Sequence, residues 1–362
     1  MNSLQYNWKY RRYKGNGKIS DCFNDVVPDK ARIHISKDMY YPYVKHNTPF
    51  IGTKLMSYTE SPGLTMFLNR LIPAGGKGFN IWSDLKRAIV DGWRSDKIHV
   101  IGSSSGYDSR ILAKALQELR EERGDSWFGE TYFVELSGEG RNFEKIMKRL
   151  GFDNYIIIEP NYDFEYFKDI HKRFNGLCAY PMNQWYDEYV RRWDEEKIQY
   201  ISGYGGNVSD AMRLTSSYLV KPEKKKRMKL HDRLRYYFMH QYYYQISAFK
   251  EPKYSFHPFY SWRYINSVAG FEHKGERTAE YLSKHFVSEC TNIKRMRILG
   301  EVTRNGHRTV KSKELKKMYE WFKSTRYGKI SNIKPLATIE YNRWWLEYCI
   351  ASYVEANNIS VR

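Results

Sequence analysis

Between Lys97 and Leu119 a short apolar run, a loop of small residues and a helix-length amphipathic run follow one another without a break. No other feature of the chain constrains its fold as tightly. Lys97-Ile98-His99-Val100-Ile101-Gly102 has the length and composition of a buried strand, and Arg110 to Leu119 repeats its apolar residues at the helical period. The pattern then recurs. Thr131–Leu136 and Tyr155–Glu159 read as strands with a helix over 143–150 between them, and a helical stretch from Trp185 to Trp193 leads to a further strand at Ile198–Ser202. Ahead of the first strand, Ile81 to Gly92 spaces Ile81, Leu85, Ile89 and Val90 along one side of a helix. Alternating strands and helices predict an α/β fold, a doubly wound parallel sheet.

The flanks differ in character. Residues 1–78 hold short β-compatible pieces such as Ala31–Ser36 and close on the glycine cluster Pro73–Gly78, which predicts an N-terminal β-containing segment 1–78 and an α/β domain 79–362. In the last third, Met228–Phe249, Ser312–Phe322 and Ile339–Val354 read as helices covering the sheet. Cys22, Cys178, Cys290 and Cys349 show no CxxC spacing, so neither a disulfide framework nor a cysteine-built zinc site is indicated. The opening residues lack the apolar run of a secretory signal, and no stretch is apolar for long enough to cross a bilayer. A cytoplasmic protein without membrane contact is expected. A formal charge of +19 sets up a field that attracts nucleotides and nucleic acid. Tyr6–Lys14, which interleaves bases with aromatics, and Lys221–Lys229 are polyanion contacts or solvated basic surface.

The small-residue loop carries the chemistry. In Ser103-Ser104-Ser105-Gly106-Tyr107-Asp108-Ser109, between strand and helix, backbone amides can converge on an anion at the positive end of the helix dipole. The hydroxyls of Ser104, Ser105 and Ser109 would add hydrogen bonds to phosphate oxygens, and Asp108 would hold Mg²⁺, which binds through carboxylates together with substrate phosphates. The same residues also suit a serine-rich turn in which Asp108 or Ser109 caps the helix. His99, His171, His231, His240 and His257 have no metal-ligand spacing and read as structural or surface residues.

Ser104-Ser105-Gly106-Tyr107-Asp108-Ser109 resembles the Ser-Gly-Gly-x-Asp-Ser loop of the N-type ATP pyrophosphatases, and the helix that follows resembles their asparagine synthetase-like branch. Further along, Ile201-Ser202-Gly203-Tyr204-Gly205-Gly206-Asn207 is similar to that branch's Ser-Gly-Glu-Gly-Ala-Asp-Glu segment. His257–Arg263 resembles its Pro-Phe-Leu-Asp piece, and Asn292–Leu299 its late lysine-containing segment. The resemblance implies ATP and Mg²⁺ as cofactors. Ser104, Ser105, Gly106, Asp108 and Ser109 would cradle the pyrophosphate portion, Gly203 and Gly205 would lie against the nucleotide, and Lys294 would neutralise phosphate charge.

The departures shape what can be expected. Ser105 replaces the first loop glycine, and Tyr204 and Asn207 replace two acidic residues of the second segment. Asn207 through its carbonyl oxygen and Asp210 through its charge are the remaining candidates for the metal. Without a carboxylate at 204, asparagine synthesis from aspartate is not expected. Residues 1–78 are too short for the glutaminase domain that opens complete asparagine synthetases and read as a shortened remnant of it or an unrelated substrate arm, so the expected nitrogen source is free ammonia, another amine or a separate amidase. The expectation is an ATP-dependent ligase that adenylates an acyl or nucleobase substrate and joins it to nitrogen. The alternative is a degenerate synthetase-like binding protein acting through its basic surface on nucleic acid or a protein partner.

Overall fold

The computed structural model describes residues 80–135, 140–158, 163–173, 183–203, 206, 252–269, 278–290, 292–293, 312–331, the short strands 4–7, 12–15, 17–20, 34–35, 56–59 and 360–361, and 348, 350–352 and 354–355. Asn80 opens α1 (Ile81–Gly92). Its side-chain oxygen accepts from the amides of Trp82 and Ser83 at 3.1 and 3.0 Å, while Asp84 accepts from the Asn80 amide at 3.1 Å. Two otherwise unbonded first-turn amides are thereby satisfied. Asp84 also bonds the Ser267 hydroxyl, which ties α1 to a later helix, α7 below.

The sheet follows. β6 (Ile98–Ser103), β7 (Thr131–Glu135), β8 (Tyr155–Ile157), β9 (Ile198–Ser202) and β10 (Ser255–Phe256) are all parallel and lie in the order β10-β9-β6-β7-β8. Preceding it, β1 (Leu4–Asn7), β2 (Arg12–Gly15), β3 (Lys18–Ser20) and β5 (Met56–Thr59) form a separate sheet of order β3-β2-β1-β5. β4 (His34–Ile35) pairs in parallel with β11 (Ser360–Val361). The helices are α2 (Tyr107–Arg123), α3 (Asp125–Phe128), α4 (Gly140–Arg149), α5 (Phe164–Arg173), α6 (Asn183–Arg192), α7 (Trp262–Ala269), α8 (Thr278–Phe286), α9 (Ser312–Ser324) and α10 (Arg326–Ile330).

Alternation along the strands divides the core into two. Ile101, Phe133 and Ile201 pack with Leu85, Ile111, Leu112, Phe143 and Tyr264 on one face, and Val100, Val134 and Tyr200 pack with Tyr189 of α6 on the other. A fully buried core residue of this kind stabilises by about 2–3 kcal/mol. The doubly wound parallel sheet expected from the sequence is therefore the observed fold, with a helical C-terminal part and a short N-terminal β segment.

The differences are local. α2 begins at Tyr107, three residues earlier than the apolar pattern indicated, because Gly106 takes the extended N-cap conformation (φ −68°, ψ 163°). α5, α7, α8 and β10 were not anticipated: α5 mixes aromatics with charges, and β10 is only two residues long, ahead of Pro258. The glycine cluster 73–78, the helix expected over 228–249 and the basic run 221–229 lie outside the described residues.

At the opposite end of the sheet from the loop, His99 is 1% exposed and stacks on Trp93 with ring centroids 3.6 Å apart. Its Nε2 lies 3.1 Å from the Arg94 carbonyl oxygen, which can only accept, so Nε2 carries the proton. Burial lowers the imidazole pKa from 6.5 to about 4. Between those values the unfolded chain binds the proton and the folded chain does not, so stability falls as pH drops from 6.5 to 4, by up to about 3 kcal/mol. His99→Gln keeps a donor and cannot titrate. Chemical denaturation of this variant is expected to show a flatter stability profile through that window than the wild type, and an unchanged slope would contradict the assignment.

Candidate functional site

In an open parallel sheet, ligands bind outside the carboxyl ends of the strands where the strand order reverses. Here the chain starts at β6, adds β7 and β8 on one side, then crosses to add β9 and β10 on the other. The reversal falls between β6 and β9. The chain leaving β6 is Ser103–Gly106, and the chain leaving β9 begins at Gly203.

The loop after β6 is held by its own hydroxyls. The Ser104 amide donates to Ser109 Oγ at 3.0 Å, the Ser104 and Ser109 hydroxyls lie 3.2 Å apart, and the Gly106 amide donates to Ser104 Oγ at 3.1 Å. Ser109 therefore reaches back to the loop rather than capping the helix. Gly106 is the N-cap and supplies no side chain, so neither Asp108 nor Ser109 takes the capping role. The first-turn amides have no acceptor within a helix, and the aligned peptides place partial positive charge at this end. Ser104, Gly106 and Asp108 are partly exposed at the mouth, whereas Ser105 is fully enclosed.

The chain after β9 closes on this turn. A Cβ added at Gly203 would lie 3.1 Å from the backbone carbon of Asp108 and 3.2 Å from the Ser109 nitrogen. One added at Gly206 would overlap the Asp108 carboxylate and come within 2.8 Å of its Cβ. The Gly206 amide donates to the Gly203 carbonyl at 3.4 Å. The second motif thus meets the first at Asp108. Gly205, Asn207, Asp210 and Lys294 lie outside the described residues.

Several nearby groups escaped the sequence reading. Glu135, at the end of β7 and in register with Ser103, is fully buried. Arg110, 2% exposed, donates to three backbone carbonyls. Ser202 Oγ and His257 Nδ1 are 2.7 Å apart at the ends of β9 and β10. Tyr264 of α7 is 1% exposed, and burial, with the Asp108 charge adding to it, pushes its phenol well above the usual range. Its hydroxyl and that of Ser103 have no hydrogen-bond partner among the described residues. The available signals were a carboxylate ending an apolar strand, an arginine at an apolar helix position, and His-Pro closing a strand.

These features fit a phosphate group with one Mg²⁺. A helix N-terminus faces the crevice, and the partly exposed Asp108 carboxylate stands beside it, packed against Gly206. Mg²⁺ commonly takes only one or two carboxylates and completes its shell with phosphates and water.

No known sequence family matches the chain, and no curated protein matches it in sequence. Among solved structures it is similar to the NAD⁺ synthetase of Burkholderia pseudomallei, at 11% identity and a TM-score of 0.29, over 63% of this chain and 94% of that one. It is also similar to the U34-tRNA thiolase of Methanococcus maripaludis, at 14% identity and a TM-score of 0.27, over 64% of this chain and 78% of that one. Likenesses this distant carry no weight for function, which rests on the residues of the crevice.

Because the neighbours of Gly203 are backbone atoms, they cannot swing aside. Gly203→Ala is expected to cost about 1–3 kcal/mol by chemical denaturation, as overpacking does. Full wild-type stability would mean that the two loops are not in contact.

Proposed function

We propose that this chain binds Mg-ATP across the ends of β6 and β9 and catalyses carbon–nitrogen ligation with AMP and pyrophosphate as products. The observation that supports this most strongly is the meeting of the two loops. Glycines of the second motif leave no room for a side chain against Asp108, at the one place where the sheet topology opens a crevice. The order of the motifs supports placing the chain in the asparagine synthetase-like branch of the N-type ATP pyrophosphatases.

Mg-ATP supplies an electrophilic α-phosphorus with pyrophosphate as its leaving group. The chain's own residues position and neutralise. Amides of the 103–109 turn and the dipole of α2 would hold phosphate oxygens, and Asp108 would contribute the carboxylate to the metal. By the resemblance, the backbone at Gly203 and Gly205 would lie against the nucleoside. By the resemblance, Asn207 and Asp210 would be further ligands to the metal, and Lys294 would add positive charge against the leaving group. Little of this requires a side chain to titrate, because the work is orientation and electrostatic stabilisation. The acceptor is an acyl or nucleobase compound other than aspartate, and nitrogen comes from free ammonia, an amine or a separate amidase. The chain's net charge of +19 favours an anionic acceptor.

Calorimetry of Mg-ATP binding to the wild type and to Asp108→Asn tests the reading. The wild type is expected to bind in about the micromolar to millimolar range typical of enzyme substrates. The variant, which loses the metal's carboxylate, should bind about tenfold or more weakly. Equal binding by both proteins would remove Asp108 from the site. An absence of wild-type binding, together with salt-sensitive nucleic-acid binding lost on neutralising Lys224, Lys225, Lys226 and Arg227, would favour a binding protein instead.

A further inference from the structure

Arg110 lies one residue beyond the Asp108-Ser109 pair, on the inner side of α2, and is 2% exposed. Its Nε donates to the Ser105 carbonyl at 2.8 Å, Nη1 to the Cys290 carbonyl at 2.9 Å and Nη2 to the Ile293 carbonyl at 2.8 Å. The acceptors belong to two stretches of chain far apart in sequence, the loop after β6 and the turn after α8. Guanidinium is planar and presents its donors in a fixed fork, so three carbonyls bound to it keep fixed positions relative to one another.

Two consequences follow from the covalent geometry. The Ser105–Gly106 peptide is planar and trans, so a carbonyl drawn toward Arg110 aims the Gly106 N–H the opposite way. That N–H now donates to Ser104 Oγ at 3.1 Å, within the turn that would receive phosphate. At the other end of the fork, the captured carbonyl is that of Ile293, the residue before Lys294. Residues 289 and 292 are held by further cations. Lys114 pairs with Glu289 at 2.8 Å, and Arg149 donates to the Glu289 carbonyl at 2.6 Å and to the Asn292 side chain.

We propose that Arg110 is a positioning residue: it aims the Gly106 amide into the phosphate turn and couples that turn to the 288–293 segment, so that nucleotide bound at one tightens the other. This rests on the nucleotide reading above, and goes beyond it by joining the two motifs mechanically. A phosphate that replaces Ser104 Oγ as the acceptor for Gly106 holds the peptide plane, and the plane holds the fork.

Cys290 reports on the coupling. Its side chain is fully buried and its carbonyl is one of the three bound by Arg110, so its thiol reacts only when the 288–293 turn opens. Alkylation of Cys290 in the full chain, followed by peptide mass spectrometry, should be about tenfold slower with saturating Mg-ATP than without it. Arg110→Lys retains the charge but places one nitrogen where three bonds were made. It should bind Mg-ATP about tenfold more weakly and lose the ATP-dependent protection of Cys290. Calorimetric binding by the wild type with unchanged Cys290 labelling would overturn this inference alone. An absence of binding would remove it together with the nucleotide reading. A variant that melts earlier yet keeps wild-type affinity and protection would reduce Arg110 to a stabilising residue. The wild-type comparison decides the matter even if the variant fails to fold.

Discussion

Backbone approach between Gly203 and the first turn of α2 is the contact on which the rest of the site depends. The parting of β6 from β9 opens a crevice, and any parallel sheet with this strand order has one. The two strand exits come together here because one of them carries no side chain where the other presents Asp108 and Ser109. The amides of the turn, the Asp108 carboxylate, the Tyr264 phenol and the Ser202–His257 pair lie at this end of the sheet. The hydrophobic core on either face of the sheet fixes the strands, and the strands fix the distance between the exits.

Polar burial around this crevice is organised differently from polar contact on the surface. Exposed ion pairs such as Lys253–Glu196 at 2.8 Å contribute little, because water screens them and both side chains must be ordered. Arg110 is removed from water, where an unbonded charge would cost several kcal/mol, and carbonyl dipoles from two segments compensate it. Its value lies in the geometry it imposes. The chain's surplus of 19 positive charges acts at longer range, in bringing anions toward the protein.

The strand–loop–helix succession from Ile98 to Leu119 was legible because each element carries its own period and the loop its own small residues. The segment 201–207 was singled out by resemblance, and of its residues Gly203 and Gly206 pack against the first turn of α2. Contacts between segments were not legible, since no local pattern states that Gly206 faces Asp108 or that Arg110 reaches residue 293. Arg110 sits at an apolar helix position and would pass for a surface residue, and its partners are carbonyls, which every residue possesses. His257 looked like one of several scattered histidines until β10, two residues long, placed it beside Ser202. The early start of α2 reflects Gly106, whose extended backbone opens the helix ahead of its first apolar residue.

Hydrogen–deuterium exchange across the whole chain, with and without Mg-ATP, tests the central claim that the exits of β6 and β9 form one anion site. Amides of 103–109 and of 202–207 should be protected together by nucleotide, because one ligand would touch both. Protection confined to the basic stretch 221–229, with both loops exchanging as before, would contradict the account and move the site to the charged surface.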